Sequence, residues 1–196
     1  LNNKLQWIDN EGFMMLQLFA EFNRRSMVGN LAPELILENN FGGYTSTYGI
    51  DTKPYGLKIL YFYDTNCITC KSETPKLVQF LKEYSDSDLT FYAIYTQSDK
   101  SEWSDYIAKH FDNINNPKVD IVHLWDPEVE SEFHKEYGVL TTPALFAIDN
   151  SNTIVGRKLN GDVIKQIIEL SHLNTSDNYY FFEELLQSAN NEEDIL

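Results

Sequence analysis

The chain has only two cysteines, and they stand three residues apart. Cys67 and Cys70 form a C-x-x-C motif, a spacing that serves thiol–disulfide exchange or supplies half of a metal site. The pair is poorly placed as a structural cross-link. In the chain-entropy treatment, closing such a short loop stabilises a fold by about 2 kcal/mol, against ~4.7 kcal/mol for a loop of 100 residues. The spacing therefore favours a chemical role for the pair over a structural disulfide.

Metal binding is the alternative that the motif itself leaves open. A structural zinc site needs four ligands, usually two cysteine pairs or one pair with added histidines. No further cysteine exists, and the histidines are scattered without short ligand spacing, so we expect them to be surface or locally bonded side chains. They are His110, His123, His134 and His172. The sequence predicts no metal site.

The elements around the motif place its first cysteine at the start of a helix. The segment 57–63 is continuous, aromatic and bounded by turn residues, as is typical of a central strand covered on both faces. Residues 64–66 make a turn rich in capping side chains, and an amphipathic helix is predicted over 67–84. A helix N-terminus favours thiolate, so we expect Cys67 to be the exposed nucleophile and Cys70 the buried resolving thiol.

The rest of the chain alternates strands with helices, which implies a parallel or mixed sheet covered on both faces. The composition has a different consequence: the net charge of −15 repels phosphate backbones, so no nucleic-acid partner is expected. The further predicted helices are 11–25, 98–111, 128–137 and 162–170, and the further strands are 35–37, 48–50, 89–95, 119–124, 144–148 and 153–158.

Three segments carry a resemblance to a known family. Residues 29–35 form a small-residue, proline and acid lead into a strand, residues 70–75 have the pattern C-x-x-E-x-P, and a Thr-Pro pair precedes a strand at 142–143. On these motifs, residues 28 to about 170 resemble the thioredoxin superfamily, and most closely its TlpA/ResA-type extracytoplasmic thiol–disulfide oxidoreductases. The resemblance implies that Pro75 is the kink proline of the active-site helix.

The resemblance also implies a fold and a domain arrangement. We expect an α/β, thioredoxin-like fold with a central mixed β-sheet flanked by helices. The expected divisions are an N-terminal helical extension over 1–27, which ends an upstream region, a thioredoxin-like domain over 28–171, and a C-terminal tail over 172–196. Within the tail, residues 179–186 could form one short apolar helix.

The family places a cis-proline beside its disulfide, and Thr142-Pro143 matches that position. Taken alone, the dipeptide is a plain trans-proline at a strand start. Together with the C-x-x-C motif, we predict a cis bond, and we expect Thr142 and Pro143 to bind the extended chain of a substrate.

Proton transfer is where this chain departs from thioredoxins themselves, which have a buried Asp six residues before the first cysteine. Tyr61 stands there instead. The resemblance matches Glu73 to an acidic residue kept under the disulfide, and we expect Glu73 to accept the proton of Cys70. Asp64 is a weaker candidate, and a solvated first-turn role for Glu73 is the alternative.

The residues between the cysteines bear on the redox potential. Strong oxidants of the superfamily usually have a His there, which stabilises the thiolate, whereas Ile68 and Thr69 cannot do so. We therefore predict a potential of roughly −200 to −270 mV, nearer the reducing end than the ~−120 mV of a strong oxidant.

The function implied by the resemblance is reduction or exchange of disulfides in extracytoplasmic protein clients, without a cofactor and with electrons from an unidentified donor. The implied place is the periplasm or the envelope, with a membrane tether, as in a lipoprotein, upstream of Leu1. The alternative is a non-catalytic protein-binding module. Peroxidase chemistry on the same fold is disfavoured, because the spacing from Thr65 to Cys67 is one residue too short for a T-x-x-C motif.

Overall fold

The structure is a computed structural model that describes residues 10–49, 56–85 and 88–171. It forms two compact units, which divide after Leu159. Within the described residues, the first unit contains the helices and strands α1 (Asn10–Arg24), β1 (Ile36–Asn39), β2 (Tyr44–Ser46), β3 (Leu57–Tyr63), α2 (Ile68–Glu83), β4 (Leu89–Tyr95), α3 (Lys100–His110), β5 (Val119–Trp125), α4 (Phe133–Glu136), β6 (Ala144–Ile148) and β7 (Ile154–Arg157). The second contains α5 (Gly161–Ser171).

The strands form one mixed sheet in the order β2-β1-β5-β4-β3-β6-β7. Strands β3, β4 and β5 are parallel, and the other neighbours pair antiparallel. The predicted mixed sheet flanked by helices is confirmed, and the fold is thioredoxin-like. No helix among the described residues has the length and apolar character needed to cross a membrane.

Strand β3 lies inside the sheet, between β4 and β6, and every one of its side chains is buried. On one face Phe62 packs against Phe133 and Tyr137 of the α4 region, with ring centroids 5.5 Å away in each pair. On the other face Tyr63 stacks on Tyr106 of α3, at 5.1 Å. Burial on both faces explains the aromatic and aliphatic run, which only Lys58 interrupts, and it fixes the strand end from which α2 departs.

Two predicted elements are wrong in position. The helix expected over 128–137 is reduced to α4, because the Asp126 carboxylate accepts hydrogen bonds from the amides of Glu130 and Ser131 at 3.0 and 3.1 Å and closes a turn there. The strand expected over 48–50 is β2 instead, where Tyr44–Ser46 pairs with β1.

The N-terminal helix is present as α1, and its C-terminal end is tied to the rest of its unit. Just beyond the helix, the Ser26 hydroxyl donates to the Tyr137 carbonyl at 2.7 Å. Arg157 of β7 donates to the Asn23 carbonyl at 3.4 Å. The predicted tail over 172–196, with its short helix, lies outside the described residues, as does Ile50 at the end of the strand expected over 48–50.

Candidate active site

The two thiols lie at the first turn of α2, directly after the carboxyl end of β3. Cys67 is the N-cap of the helix, and its Sγ accepts a hydrogen bond from the Cys70 amide at 3.1 Å. Both cysteines are free thiols. Cys67 is partly exposed, whereas Cys70 is completely buried. The motif therefore presents one sulfur to solvent and keeps the other beneath it.

Strand β6 brings a distant backbone group against this sulfur. The Cys67 thiol donates a hydrogen bond to the Thr142 carbonyl at 3.1 Å, across 75 residues of chain. The Thr142–Pro143 peptide bond is cis, as predicted. The contact follows from topology, because β6 begins two residues after Thr142 and pairs antiparallel with β3, which leads into the cysteine turn.

The environments of the two thiols separate their acidities. Burial opposes ionisation of Cys67, but hydrogen bonds from the Cys70 thiol and amide outweigh it and hold the pKa of Cys67 below its ordinary value. Burial, reinforced by donation of its proton toward Cys67, raises the pKa of Cys70 to about 12. At neutral pH, thiolate character therefore belongs to the exposed sulfur.

Glu73 lies on the buried side of α2, on the same stripe as Cys70 one turn earlier. It is only 9% exposed, which argues against the solvated role considered above. Its Oε1 is 2.7 Å from the Nζ of Lys76, an ion pair at the edge of the protein interior. Pro75 lies within α2, which continues past it to Glu83.

Tyr61, at the position where thioredoxins have a buried Asp, belongs to a cluster of hydroxyl groups. The Tyr61 hydroxyl lies 2.7 Å from Thr74 Oγ1, and the Tyr106 hydroxyl donates to the same oxygen at 2.8 Å. All three side chains are buried. Burial raises the pKa of Tyr61 and of Tyr106, so both phenols stay protonated. Neutral hydroxyls thus tie β3, α2 and α3 together.

The turn before Cys67 has its own anchor. The Thr65 hydroxyl donates to Oε2 of Glu102 at 2.8 Å, so it is directed toward α3. Asp64 Oδ1 accepts from the Asn66 amide at 2.7 Å, and the Asp64 carbonyl accepts from the Cys67 amide at 3.3 Å. These contacts make Asp64 a structural residue of the turn.

The segments on either side of the exposed sulfur carry exposed apolar side chains beside exposed polar ones such as Asn66 and Thr69. Ile68, next to Cys67, is 85% exposed, and Leu140, in the segment that leads to Thr142, is 50% exposed. No group of three or more His, Cys, Asp or Glu side chains that could hold a metal ion is found in the part of the chain that the structure describes.

Sequence reasoning found the cysteines and the Thr-Pro pair but missed Thr74, Tyr106 and Glu102. The first two are joined across 32 residues, and Glu102 reaches back 37 residues to Thr65. Only the tertiary structure makes them neighbours. The usable signal was a hydroxyl at 74, one helical turn after Cys70, on a helix predicted to pack against the strand that contains Tyr61.

Comparisons with known proteins agree with this geometry. The profile described as the AhpC/TSA family matches residues 28–157, more than half of the chain. A thiol:disulfide interchange protein from Bacteroides sp. has a TM-score of 0.63 at 18% identity, with 80% of this chain and 97% of that chain covered.

Two further solved structures align with this chain over nearly all of their own length. A thiol-disulfide oxidoreductase from Bacteroides fragilis has a TM-score of 0.60 at 20% identity, over 71% of this chain and 98% of that chain. The thioredoxin domain of a thiol-disulfide oxidoreductase from Bacteroides vulgatus has a TM-score of 0.59 at 17% identity, over 72% of this chain and 98% of that chain. Identities of this size establish a shared fold. Among curated protein sequences, none matches the chain.

Proposed function

Because the chain belongs to the AhpC/TSA family, we propose that it is a thiol–disulfide oxidoreductase whose reactive centre is Cys67 and Cys70. The observation that carries this proposal is the asymmetry of the pair. One thiol is partly exposed with a lowered pKa, and the other is buried with a pKa of about 12. That asymmetry suits a nucleophile and a resolving group.

The reaction would proceed as two displacements at sulfur. The Cys67 thiolate attacks a client disulfide, a bond forms between Cys67 Sγ and one client sulfur, and the other client sulfur leaves as thiolate. Cys70 then loses its proton and attacks Cys67 Sγ, which releases the second client thiolate. The client gains two electrons, and the Cys67–Cys70 pair is oxidised to a disulfide.

Glu73 is proposed as the acceptor of the Cys70 proton. A thiol with a pKa of about 12 is almost fully protonated at neutral pH, so its attack needs a base. Glu73 lies on the same buried stripe of α2. Tyr61 cannot replace it, because burial raises the pKa of that phenol well above its usual range.

Thr142 and Pro143 are proposed to dock the client. The Thr142 carbonyl is adjacent to Cys67 Sγ, where it would accept a hydrogen bond from an amide of an extended client chain. The exposed Ile68 and Leu140 would contact apolar side chains on either side of the client cysteine. This arrangement favours protein clients over small disulfides.

The finer assignment is to the TlpA/ResA type, acting on extracytoplasmic clients in the periplasm or at the envelope. It is supported by the C-x-x-E-x-P motif with Glu73 and Pro75. The Bacteroides neighbours, described as interchange protein and oxidoreductase, are compatible with it. A membrane tether upstream of Leu1 belongs to the same proposal, and fractionation of cells that express the complete gene product would test it.

The test of the central proposal is insulin disulfide reduction with dithiothreitol as donor. The wild type should accelerate reduction, and Cys67→Ser should abolish the acceleration. Cys70→Ser should accumulate a mixed disulfide between Cys67 and the client, visible by mass spectrometry. A wild type without cysteine-dependent turnover, but with client binding that survives both substitutions, would favour the non-catalytic binding module.

A further inference from the structure

The turn that leads into Cys67 is tied to helix α3 through a single carboxylate oxygen. Oε2 of Glu102 accepts a hydrogen bond from the Thr65 hydroxyl at 2.8 Å and from Asn66 Nδ2 at 3.5 Å. The Tyr95 hydroxyl donates to the same oxygen at 3.5 Å and lies 3.4 Å from the Thr65 hydroxyl. Donors from the turn and from the end of β4 thus converge on one side chain.

Glu102 is itself held in place. The Asp99 carboxylate caps α3 by accepting hydrogen bonds from the amides of Ser101 and Glu102, at 2.9 and 3.0 Å. The next residue, Trp103, is buried and stacks on Trp125 with ring centroids 5.5 Å apart. The backbone of Glu102 is therefore fixed at the helix start, and its exposed carboxylate is held by the donors of the turn and of β4.

Hydrogen bonds within the turn connect the residues that contact Glu102 to Cys67. Asn66 donates its amide to Asp64 Oδ1, and Cys67 donates its amide to the Asp64 carbonyl. Cys67 then caps α2 and contacts the Thr142 carbonyl. A change at the Thr65 and Asn66 side chains therefore moves the residue that directly follows them, which is the proposed nucleophile.

We propose that Glu102 is a positioning residue for Cys67, holding the turn at 64–66 so that Sγ stays beside the Thr142 carbonyl and aligned for attack. This inference rests on the proposed function. Displacement at sulfur depends on alignment of the attacking atom, so a loosened turn slows the chemical step while leaving the client-docking surface intact. The effect should therefore appear in kcat, with KM unchanged.

The experiment compares Glu102→Ala with its conservative variant and with a matched control in insulin reduction. Glu102→Ala should lower kcat about fivefold, because the turn loses a hydrogen bond and is aligned for attack in a smaller fraction of molecules. Glu102→Gln keeps an acceptor oxygen and should restore most of the rate. Asp105→Ala removes a carboxylate exposed on the same helix and should match the wild type.

A double-mutant cycle isolates the contact. Thr65→Val removes the hydroxyl donor at nearly constant volume and should lower kcat as Glu102→Ala does, and the double variant should lose no more than either single variant. Additive losses, or a Glu102→Ala rate equal to that of Asp105→Ala, would overturn the positioning role.

Failure of the proposed function would look different. If the wild type shows no Cys67-dependent turnover, the oxidoreductase proposal fails, while amide hydrogen exchange at Asn66 and Cys67 still reports the position of the turn. Exchange there should rise about fivefold in Glu102→Ala, and little in Glu102→Gln or Asp105→Ala. Equal exchange in all variants would reject Glu102 as the anchor of the turn, whatever the activity.

Discussion

The Cys67 thiol donates a hydrogen bond to the carbonyl of Thr142, 3.1 Å away. The same sulfur accepts from the amide of Cys70 at 3.1 Å. These two contacts act in opposite senses: the carbonyl favours the protonated thiol, and the amide favours the thiolate. If a client binds as proposed, its amide would share the Thr142 carbonyl with the Cys67 thiol, which weakens the hydrogen bond of the thiol and favours ionisation of the attacking sulfur.

The acidity of Cys67 should depend on the side chain at position 70. Cys70→Ala removes the thiol donor that lowers the pKa of Cys67, so that pKa should rise, and alkylation by iodoacetamide at pH 7 should slow by about fivefold. Cys70→Ser keeps a hydroxyl donor and should slow it less. The rate of alkylation against pH, followed by mass spectrometry, measures both variants.

In the wild type, only Cys67 should be labelled near neutrality, because the pKa of Cys70 is about 12. Equal labelling of the two cysteines would contradict the assignment.

The redox potential should lie at roughly −200 to −270 mV when equilibrated against glutathione or dithiothreitol. Ile68 is 85% exposed, so replacing it leaves the core undisturbed. Ile68→His should raise the potential by about 30 mV, since an imidazolium near the helix N-terminus stabilises the reduced, thiolate form about tenfold. Ile68→Gln is the neutral control and should stay within a few millivolts of the wild type. A wild-type potential near −120 mV would refute the predicted reducing character.

The parts of the fold that sequence predicted best are those decided by local pattern. The bounds of β3, β4 and β6 were predicted to the residue, because runs such as Leu57–Tyr63 are buried on both faces and end at turn residues. The start of α4 was predicted wrongly. The Asp126 carboxylate accepts hydrogen bonds that hold the preceding residues in a turn, and the spacing of apolar residues does not indicate such a turn.

The residues of the candidate site likewise divide into those predicted from local sequence and those that only the tertiary structure brings together. Cys67, Cys70 and the Thr142–Pro143 pair carry local signatures. By contrast, Glu102 and Thr74 look like ordinary helix residues until the packing of α2 and α3 against the sheet brings them to Thr65 and Tyr61. A hydrogen bond across 37 residues depends on the relative placement of whole elements, and that placement follows from burial of large aromatic faces rather than from nearby sequence.

Removing the Glu73 carboxylate should slow the step in which Cys70 attacks. Glu73→Gln keeps the shape of the side chain but removes the base, so release of the second client thiol should slow by about a hundredfold or more. Formation of the mixed disulfide by Cys67 should be unaffected. Quenched-flow measurement of a single turnover separates the two steps. Glu83→Gln, exposed near the end of the same helix, is the control. A loss confined to the first step would assign Glu73 a different role.

The hydroxyl cluster should contribute to stability through Thr74. Thr74→Val leaves the buried hydroxyls of Tyr61 and Tyr106 without their shared partner, so the free energy of unfolding should fall by about 2–4 kcal/mol. Thr74→Ser keeps the hydroxyl and should recover most of that loss. Tyr61→Phe removes one hydroxyl and preserves the bond between Thr74 and Tyr106, so it should cost only about 1 kcal/mol. Urea unfolding measures all three, and similar values for the Val and Ser variants would show that the hydroxyl contributes little.

Gly138 joins the end of α4 to the N-terminal helix through a close backbone approach. Its φ is +67°, in the left-handed region, and a Cβ there would lie 2.9 Å from the carbonyl oxygen of Phe22 in α1. Gly138→Ala must therefore accept backbone strain and also displace the last turns of α1, since a backbone carbonyl cannot swing aside as a flexible side chain does. The expected cost is about 2–4 kcal/mol in the free energy of unfolding, with faster proteolysis within α1.

Gly29 provides the matched control for that prediction. Its φ is +90°, yet a Cβ placed there would meet nothing within 4 Å. Gly29→Ala therefore introduces backbone strain without the collision and should cost about 1–2 kcal/mol while α1 keeps its resistance to protease. The difference between the two variants, at least about 1 kcal/mol, measures the contact between Gly138 and Phe22. Equal costs and equal proteolysis would mean that α1 does not pack against this turn in solution, and that the helix extends the domain without being held by it.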